Sequence, residues 1–255
     1  MHILDAFKLD GKVALVTGAS RGIGQAAALA LAEAGADIAG VSRSSCEETR
    51  ARVEALGRRF LAIPCDLHKA TVADLDQVVQ RVVQEWGHLD ILVNAAGTVW
   101  RGLALDIDEA GWDDVLQVNL KALFFLSRAA ARVMKEQGGG KIVNIASVMA
   151  FQGGVRIPSY AASKSGVAGV TRALANEWAP FGINVNAIAP GYTQTELTSP
   201  LWKDPEQYQA LLSRIPAGRW ARPEDMKGAV VFLASAASDY VHGAILPVDG
   251  GWLAR

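Results

Sequence analysis

The sequence predicts an α/β fold, with helices on both faces of one doubly wound parallel sheet. Two observations lead to this prediction. Short apolar runs typical of buried strands alternate with longer segments of helical periodicity along the whole chain. The chain also contains no internal repeat, low-complexity linker or shift in composition, so we expect residues 1–255 to form a single domain.

Composition excludes several classes of function. The formal net charge of -1 gives no general attraction to nucleic acid or to an anionic membrane surface. Cys46 and Cys65 lack the spacing of a metal site, and the four histidines are scattered, so no metal is expected. No apolar run is long enough to span a bilayer, and the first residues do not resemble a signal peptide. We therefore expect a cytoplasmic protein whose partner is a small-molecule substrate.

The first element is a strand, Lys12–Thr17, followed by a glycine-rich turn and an Ala- and Leu-rich helix, Gln25–Ala34. Strand, glycine turn and helix in this order form the first half of a Rossmann-type nucleotide-binding unit. The glycines let the backbone approach a diphosphate, and the helix N-terminus offers unpaired N–H groups. A tight turn without a ligand is the alternative. The candidate cofactor-binding residues of this turn are Gly18, Ser20, Arg21, Gly22, Ile23 and Gly24.

The next three strands are predicted at Asp37–Val41, Phe60–Ile63 and Leu89–Val93, with helices at Ser45–Leu56 and Thr71–Trp86 between them. Open α/β sheets bind ligands beyond the carboxyl ends of their strands, so the residues that follow each strand are candidate cofactor contacts. Asp66 could accept a hydrogen bond from an adenine amine or could merely cap a turn. These candidates are Ser42, Arg43, Asp66, Leu67, Asn94, Ala95 and Gly97.

The second half of the chain continues the alternation. It contains a long helix, Trp112–Gln137, which carries the polar Asn119 among apolar neighbours. The remaining predicted elements are the strands Lys141–Ala146, Ile183–Ile188 and Ala244–Val248, the helix Ser159–Trp178, and a last helix that opens at Arg222. The segment 196–220 is interrupted by prolines and partly helical, which suits a lid over a substrate.

Tyr160 and Lys164 are the strongest candidates for chemistry. They stand four residues apart on the predicted helix, so the two side chains share one face. A neighbouring ammonium group favours the phenolate and is expected to lower the tyrosine pKa, which suits proton exchange at an alcohol or carbonyl oxygen. Ser147, at the end of a buried strand, could present a hydroxyl to the same oxygen. The alternative is an ordinary solvated pair.

Several motifs occur together in this sequence. They are Thr17-Gly-x-x-x-Gly-x-Gly24, Asp66, Asn94-Ala-Ala-Gly97, Asn119, Ser147, Tyr160-x-x-x-Lys164, and Pro190-Gly191 with Thr195. In this combination the chain resembles the short-chain dehydrogenase/reductase family over essentially its whole length. Ala95 replaces the second Asn of the family's Asn-Asn-Ala-Gly motif, and Thr193 replaces the usual Ile or Val.

The resemblance implies an enzyme that moves a hydride between nicotinamide and a substrate carbon. By the same resemblance, Tyr160 exchanges the proton, Ser147 holds the substrate oxygen, and Lys164 binds the nicotinamide ribose. Asn119 is expected to hold a water that connects Lys164 to solvent. The resemblance further implies a homotetramer, with the Asn119 and Tyr160 helices packed against their mates. The implied cofactor contacts in the second half of the chain are Tyr160, Lys164, Pro190, Gly191, Thr193 and Thr195.

The cofactor is predicted to be NADP(H) or NAD(H), with NADP(H) favoured. NAD-specific relatives place an acidic residue at the end of the second strand, and this chain has Ser42 followed by Arg43. No carboxylate there repels a 2′-phosphate, and the guanidinium groups of Arg43 and Arg21 could bind one. Alternatively, Arg43 stacks on adenine or faces solvent.

The substrate is expected to be a small sugar acid, such as 2-dehydro-3-deoxygluconate or gluconate. Several sequence blocks resemble the members of the family that act on sugar acids, among them Phe151–Tyr160 and Val248–Arg255. Side chains that could bind a carboxylate or hydroxyls lie near the catalytic residues in sequence. They are Arg101, Gln152 and Arg156, together with Ser147 and Tyr160, and Arg219 and Trp220 are expected to close the lid.

Three other functions stay open at this point. The chain could reduce another small ketone, sugar or polyol. It could be a regulator that binds a nucleotide without turnover, although the four catalytic candidates argue against this. An epimerase or dehydratase is the third alternative, but such relatives generally have longer chains and a different glycine spacing.

Overall fold

The computed structural model describes residues 2–254, and its sheet has seven strands in that range. In chain order these strands are β1 Val13–Thr17, β2 Asp37–Ser42, β3 Phe60–Pro64, β4 Ile91–Asn94, β5 Gly140–Ile145, β6 Ile183–Pro190 and β7 Ile245–Val248. All pairs are parallel, and the spatial order is β3-β2-β1-β4-β5-β6-β7. The doubly wound parallel sheet predicted from the sequence is confirmed.

Helices cover both faces of this sheet. The α-helices are α1 Gly22–Glu33, α2 Glu47–Ala55, α3 Val72–Trp86, α4 Glu109–Leu116, α5 Leu123–Glu136, α6 Pro158–Trp178, α7 Ser199–Trp202, α8 Pro205–Leu212 and α9 Lys227–Ala234. Short 3-10 helices lie at Ile3–Phe7, Val148–Ala150, Ala179–Phe181, Pro223–Met226, Ala236–Ser238 and Trp252–Ala254. A π-helix, Gln117–Ala122, joins α4 to α5.

The central strands are apolar on both faces because each face is covered by helices. Along β1, Leu15 faces a cluster built with α3 and α5, which includes Val79 and Leu126. Its neighbour Val16 faces the opposite cluster, built with α1 and α9. All five residues of β1 are buried, which explains why its sequence reads as an uninterrupted apolar run.

Two predicted element boundaries were wrong. The helix predicted at Trp112–Gln137 begins at Glu109, ends at Glu136, and is interrupted by the π-helix. The first helix was predicted to begin at Gln25, but it begins at Gly22, so two glycines of the turn form its first turn. The spacing of apolar side chains does not show that a helix begins inside a glycine turn or that a π-helix interrupts it, so the sequence pattern could not predict either boundary.

The order of the strands locates a crevice in the sheet. β1 lies between β2 and β4, so the chain winds outward to one side through β3 and to the other through β7. In such sheets the loops beyond the carboxyl ends of the strands open a cleft at the point of reversal. Within residues 2–254, no helix is long and apolar enough to cross a membrane.

Candidate active site

Two adjoining cavities open at the carboxyl edge of the sheet. The first has a volume of about 530 Å³ and runs from the loop after β1 towards β6. The second, of about 720 Å³, lies between the loops after β4 and β5 and the segment 196–220. The side chains or backbone of Ser147, Tyr160, Gly191, Leu197 and Thr198 line both cavities. A reaction between two ligands would therefore take place at this shared wall.

The glycine turn of the first cavity is shaped to hold a phosphate. Gly18 has a φ of +69°, a backbone conformation that glycine adopts without strain. A Cβ at Gly24 would lie 2.2 Å from the Gly18 carbonyl oxygen, so the turn tolerates no side chain there. No side chain caps the N-terminus of α1 at Arg21. The first N–H groups of α1 thus remain available to a diphosphate, and the residues present fit a dinucleotide.

Hydroxyl groups gather beside this turn, at the end of β2. The Ser42 hydroxyl donates to Ser20 Oγ at 3.0 Å, and the Ser44 hydroxyl donates to the same oxygen at 2.9 Å. Arg43 is exposed between them. Arg21 Nε lies 2.8 Å from Glu196 Oε2, so a carboxylate of segment 196–220 already engages one of the two guanidinium groups predicted to bind a phosphate.

The structure brings together nearly all of the predicted cofactor contacts. The residues that line the first cavity include Gly18, Ser20, Arg21, Gly22, Ile23, Gly24, Ser42, Arg43, Asp66, Leu67, Ala95, Gly97, Tyr160, Lys164, Pro190, Gly191, Thr193 and Thr195. Asn94 is the exception. Its side chain is buried within the sheet and donates to Ser127 Oγ and Asn144 Oδ1 at 3.0 and 2.9 Å, so it supports β4 and β5.

The catalytic candidates stand where the cavities meet. Pro158 begins α6, so Tyr160 lies in the first turn of that helix. Ser147 lies two residues after the end of β5 at Ile145. Lys164 is 4% exposed, and its Nζ donates to the Ile145 carbonyl oxygen at 2.7 Å. Burial lowers the pKa of Lys164 from 10.5 to about 8.

The electrostatics of Tyr160 combine opposing influences. Burial raises the pKa of its phenol, whereas a hydrogen bond with Ser147 and the charge of Arg101 act in the opposite direction. Lys164 Nζ lies 5.7 Å from the centroid of the Tyr160 ring. The expectation that Lys164 lowers the tyrosine pKa stays a prediction.

Asn119 lies in the π-helix and does not line either cavity. The Thr98 N–H donates to Asn119 Oδ1 at 2.8 Å, and Asn119 Nδ2 donates to the Thr98 carbonyl and to Ser163 Oγ at 2.9 and 3.0 Å. The Ser163 hydroxyl in turn donates to the Tyr160 carbonyl oxygen at 2.7 Å. Asn119 thus ties the loop after β4 to the helix that carries Tyr160.

The second cavity is lined by basic and aromatic side chains. Its lining contains the guanidinium-bearing residues Arg101, Arg156 and Arg214, and no Asp or Glu occurs among the described lining residues. Arg156 has a φ of 64°, which is unusual for a residue with a side chain. Its carbonyl oxygen accepts a hydrogen bond from the Gly102 N–H at 3.0 Å, which joins the loops after β4 and β5.

All five predicted substrate contacts line this second cavity. They are Arg101, Ser147, Gln152, Arg156 and Tyr160. Arg219 and Trp220, which were expected to close the lid, are not among the residues that line this cavity. The guanidinium of Arg219 binds Asp225 with contacts of 2.7 and 2.8 Å, and Trp220 is buried against Tyr208.

Sequence reasoning missed other residues of the second cavity. Tyr192, Arg214 and Trp252 line it, with the ring centroids of Tyr192 and Trp252 4.7 Å apart and the Arg214 guanidinium 4.0 Å from the centroid of Trp252. Tyr192 directly follows the Pro190-Gly191 motif, which is a signal that could have indicated it. Arg214 and Trp252 had no such signal because folding alone brings them together.

Metal chemistry has no support in the described part of the chain. Among residues 2–254, no group of three or more His, Cys, Asp or Glu side chains could hold a metal ion. His68 does contact Asp114, at the rim of the first cavity, but this pair has only two members.

Comparison with known proteins places this arrangement among the dehydrogenases. A family model described as enoyl-(acyl carrier protein) reductase matches residues 18–253. The 2-dehydro-3-deoxy-D-gluconate 5-dehydrogenase of Escherichia coli (strain K12) is 56% identical over 254 residues, which are 99% of this chain and 100% of that protein.

Solved structures agree with this comparison. A candidate 2-deoxy-D-gluconate 3-dehydrogenase from Agrobacterium tumefaciens, with bound NADP, superposes with a TM-score of 0.92 and 50% identity, covering 98% of this chain and 100% of that one. A candidate NAD(P)-dependent gluconate 5-dehydrogenase from Beutenbergia cavernae, with NADP at low occupancy, has a TM-score of 0.94 and 45% identity, covering 98% and 100%.

Proposed function

This chain belongs to the short-chain dehydrogenase/reductase family, and from that membership we propose that it oxidises or reduces a small sugar acid. It is an NAD(P)-dependent oxidoreductase that acts on CH–OH groups and their carbonyl counterparts. The names of its relatives favour 2-dehydro-3-deoxy-D-gluconate or gluconate as the substrate. One observation carries the proposal: Arg101, Arg156 and Arg214 line the second cavity together with Ser147 and Tyr160, and no carboxylate occurs among its described lining residues.

The residues of the chain have distinct roles in this reaction. When bound, the nicotinamide cofactor supplies or accepts the hydride at the substrate carbon. In the reducing direction the Tyr160 phenol gives its proton to the substrate oxygen, and the Ser147 hydroxyl hydrogen-bonds that oxygen and holds it in place. Lys164 has its ammonium at the wall of the first cavity, where it binds the ribose next to the nicotinamide.

Asn119 does not line the cavity and would act on Lys164 through a water molecule. A Cβ at Gly97 would lie 3.5 Å from Asn119 Oδ1 and 3.9 Å from Lys164 Nζ, so Gly97 leaves a gap between the two groups. Asn119 Oδ1 accepts one hydrogen bond from Thr98 and keeps a second lone pair for a water in that gap. Such a water would pass a proton between Lys164 and solvent.

The cofactor preference is for NADP(H). The Ser20 hydroxyl, which accepts from Ser42 and Ser44, and the exposed Arg43 offer donors to a 2′-phosphate, and β2 ends without the carboxylate that would bind a ribose 2′-hydroxyl. Arg21 can bind the 2′-phosphate only after its guanidinium leaves the ion pair with Glu196. The bound NADP in related structures supports this preference.

The proposal also covers a lid, the assembly of the protein and a second class of substrate. Segment 196–220, with α7 and α8, forms a lid over the second cavity. The family resemblance supports a homotetramer in the cytoplasm. A substrate without a carboxylate is the second candidate, since Gln152 and Gln207 also line the cavity and offer amides to hydroxyl groups.

The test compares acid and neutral substrates in steady-state kinetics with NADP(H) and NAD(H). We expect turnover of 2-dehydro-3-deoxygluconate or gluconate, and much weaker turnover of the matched sugar or polyol without the carboxylate. Arg156→Met is expected to lower kcat/KM for the acid about tenfold and to leave the neutral analogue unchanged. Equal kcat/KM for acid and neutral substrates in the wild-type enzyme would contradict the proposal.

A further inference from the structure

An ion pair joins the glycine turn to the start of the segment 196–220. Arg21 Nε lies 2.8 Å from Glu196 Oε2, and both residues line the first cavity. The two side chains are 61% and 67% exposed, so a ligand that enters the cavity can reach the pair. A phosphate group that approached Arg21 would therefore meet a guanidinium that already has an anionic partner.

The fold holds the backbone of Glu196 beside the glycine turn. The carbonyl of the preceding residue, Thr195, accepts a hydrogen bond from Trp202 Nε1 at 3.0 Å, which anchors it to α7. A Cβ at Gly22 would lie 3.6 Å from Thr195 Cγ2, so Thr195 also lies against the turn. These contacts do not involve the Glu196 carboxylate, so a change of that side chain alters the charge at Arg21 and leaves the backbone in place.

We propose that Glu196 limits how strongly this enzyme prefers a dinucleotide with a 2′-phosphate, because its carboxylate competes with that phosphate for the Arg21 guanidinium. The proposal rests on the NADP(H) preference proposed above and assigns a residue that tunes it. Glu196 is in this respect a positioning residue, since it acts on the cofactor through Arg21.

The charges of the first cavity make this competition selective for the 2′-phosphate. Its described lining contains the cationic residues Arg21, Arg43 and Lys164 and the carboxylates Asp66 and Glu196. The diphosphate, which both cofactors carry, has the first N–H groups of α1 as its donors. The 2′-phosphate, which only NADP(H) carries, depends on the guanidinium groups of Arg21 and Arg43. A carboxylate paired with Arg21 occupies one of these donors and repels the phosphate, so it weakens the binding of NADP(H) more than that of NAD(H).

The experiment measures the dissociation constants of NADPH and NADH by cofactor fluorescence in the full-length protein. We expect Glu196→Gln to tighten NADPH binding about threefold at low salt, as suits an exposed ion pair, and to leave NADH binding unchanged. In an Arg21→Met background the same substitution should have no effect on either cofactor. The gain should shrink at high salt, which screens exposed charges. Glu206→Gln, which removes an exposed carboxylate from α8 that lines neither cavity, is the control and should leave both constants unchanged.

Two results would overturn the proposal: unchanged NADPH binding in Glu196→Gln, or the same gain with and without Arg21. A merely structural role of Glu196 would instead lower the melting temperature and weaken both cofactors alike.

A second pair of ligands separates this proposal from the proposed function. Adenosine 2′,5′-bisphosphate and 5′-AMP differ by the 2′-phosphate alone, and their binding, measured by calorimetry, needs neither nicotinamide nor a sugar acid. Glu196→Gln should tighten the binding of the bisphosphate and leave that of 5′-AMP unchanged, and an equal response of the two ligands would contradict the role of Glu196. A wild-type enzyme that binds NADH more tightly than NADPH would contradict the cofactor preference, whereas this ligand pair would still decide what Glu196 does.

Discussion

Gly97 illustrates at the residue scale how an absent side chain serves chemistry. A methyl group there would sit at ordinary contact distances from Asn119 Oδ1 and Lys164 Nζ, 3.5 and 3.9 Å away, so the fold can accept it. The same change at Gly24 would place a methyl 2.2 Å from a carbonyl oxygen and would distort the turn. Gly24 is therefore required for steric reasons, whereas Gly97 would serve the proposed water relay.

This difference leads to a prediction for Gly97→Ala. We expect the variant to keep its melting temperature but to lose up to about 10²-fold in kcat, because the methyl fills the gap that the relay water needs. The NADPH dissociation constant, measured by fluorescence, separates this loss from weaker cofactor binding. Gly228→Ala is the control, since a Cβ at Gly228 meets nothing within 4 Å and lies far from the site in α9. A wild-type kcat in Gly97→Ala would exclude the relay.

The sequence predicted single residues where a motif placed them, and failed where folding assembled them. Ser147, Tyr160 and Lys164 were predicted from the end of one strand and the spacing along one helix, and all three line the first cavity. Their catalytic roles stay predictions. The contact between Arg214 and Trp252 was not predicted, because the two residues lie far apart in the sequence. Asn94 belongs to a cofactor motif, yet it bonds to its neighbours inside the sheet, and no pattern distinguishes those two roles.

The elements were predicted well for a physical reason. A parallel strand covered on both faces is a continuous apolar run, and the strands of this sheet match the predicted ranges within one or two residues. The π-helix was not predictable in this way. It turns Asn119 towards Thr98 and Ser163 through an extra residue per turn, and such bulges depend on tertiary hydrogen bonds.

An ion pair between Arg219 and Asp225 lies at the end of the proposed lid, and it gives a prediction at the element scale. The side-chain hydrogen bonds from the Arg219 guanidinium lower the pKa of Asp225 from its usual 3.8 to about 2. This stabilisation is present above about pH 4 and is lost as pH falls through the folded pKa. Asp225→Asn should lower the melting temperature at pH 7 by about 1–3 °C, with the difference vanishing near pH 2.

Scanning calorimetry between pH 2 and 7 measures this dependence. Glu224→Gln removes the neighbouring exposed carboxylate and serves as the control. A melting-temperature difference between wild type and Asp225→Asn that stays constant down to pH 2 would contradict the role of the charged pair.

At the scale of the whole molecule, the partly exposed apolar residues of α5 indicate which face could form a subunit interface. Leu123, Leu126 and Val167 are buried within the protomer, whereas Phe124 and Phe125 stay partly exposed and meet edge-on with ring centroids 5.2 Å apart. Light scattering at micromolar concentration should give four times the protomer mass of 27.0 kDa. Phe124→Asp should reduce that mass, because a carboxylate is costly to bury in an interface.

Leu56→Asp, at an exposed apolar position after α2, is the control and should keep the full mass. A wild-type mass of one protomer would contradict the proposed tetramer, and an unchanged mass in Phe124→Asp would exclude this face from the interface.

The strand order also has a consequence for synthesis on the ribosome. β1 to β4 are contiguous in the sheet, so residues up to Gly97 contain the glycine turn, the Ser42–Ser44 hydroxyls and Asp66. Tyr160 and the arginine-lined cavity are translated later, and the edge strand β7 comes last. Since nascent chains generally fold from the N-terminus, most of the nucleotide cradle can form while the catalytic half is still being translated. Early nucleotide binding would then stabilise the sheet formed by β1 to β4 before the segment that contains Tyr160 has been translated.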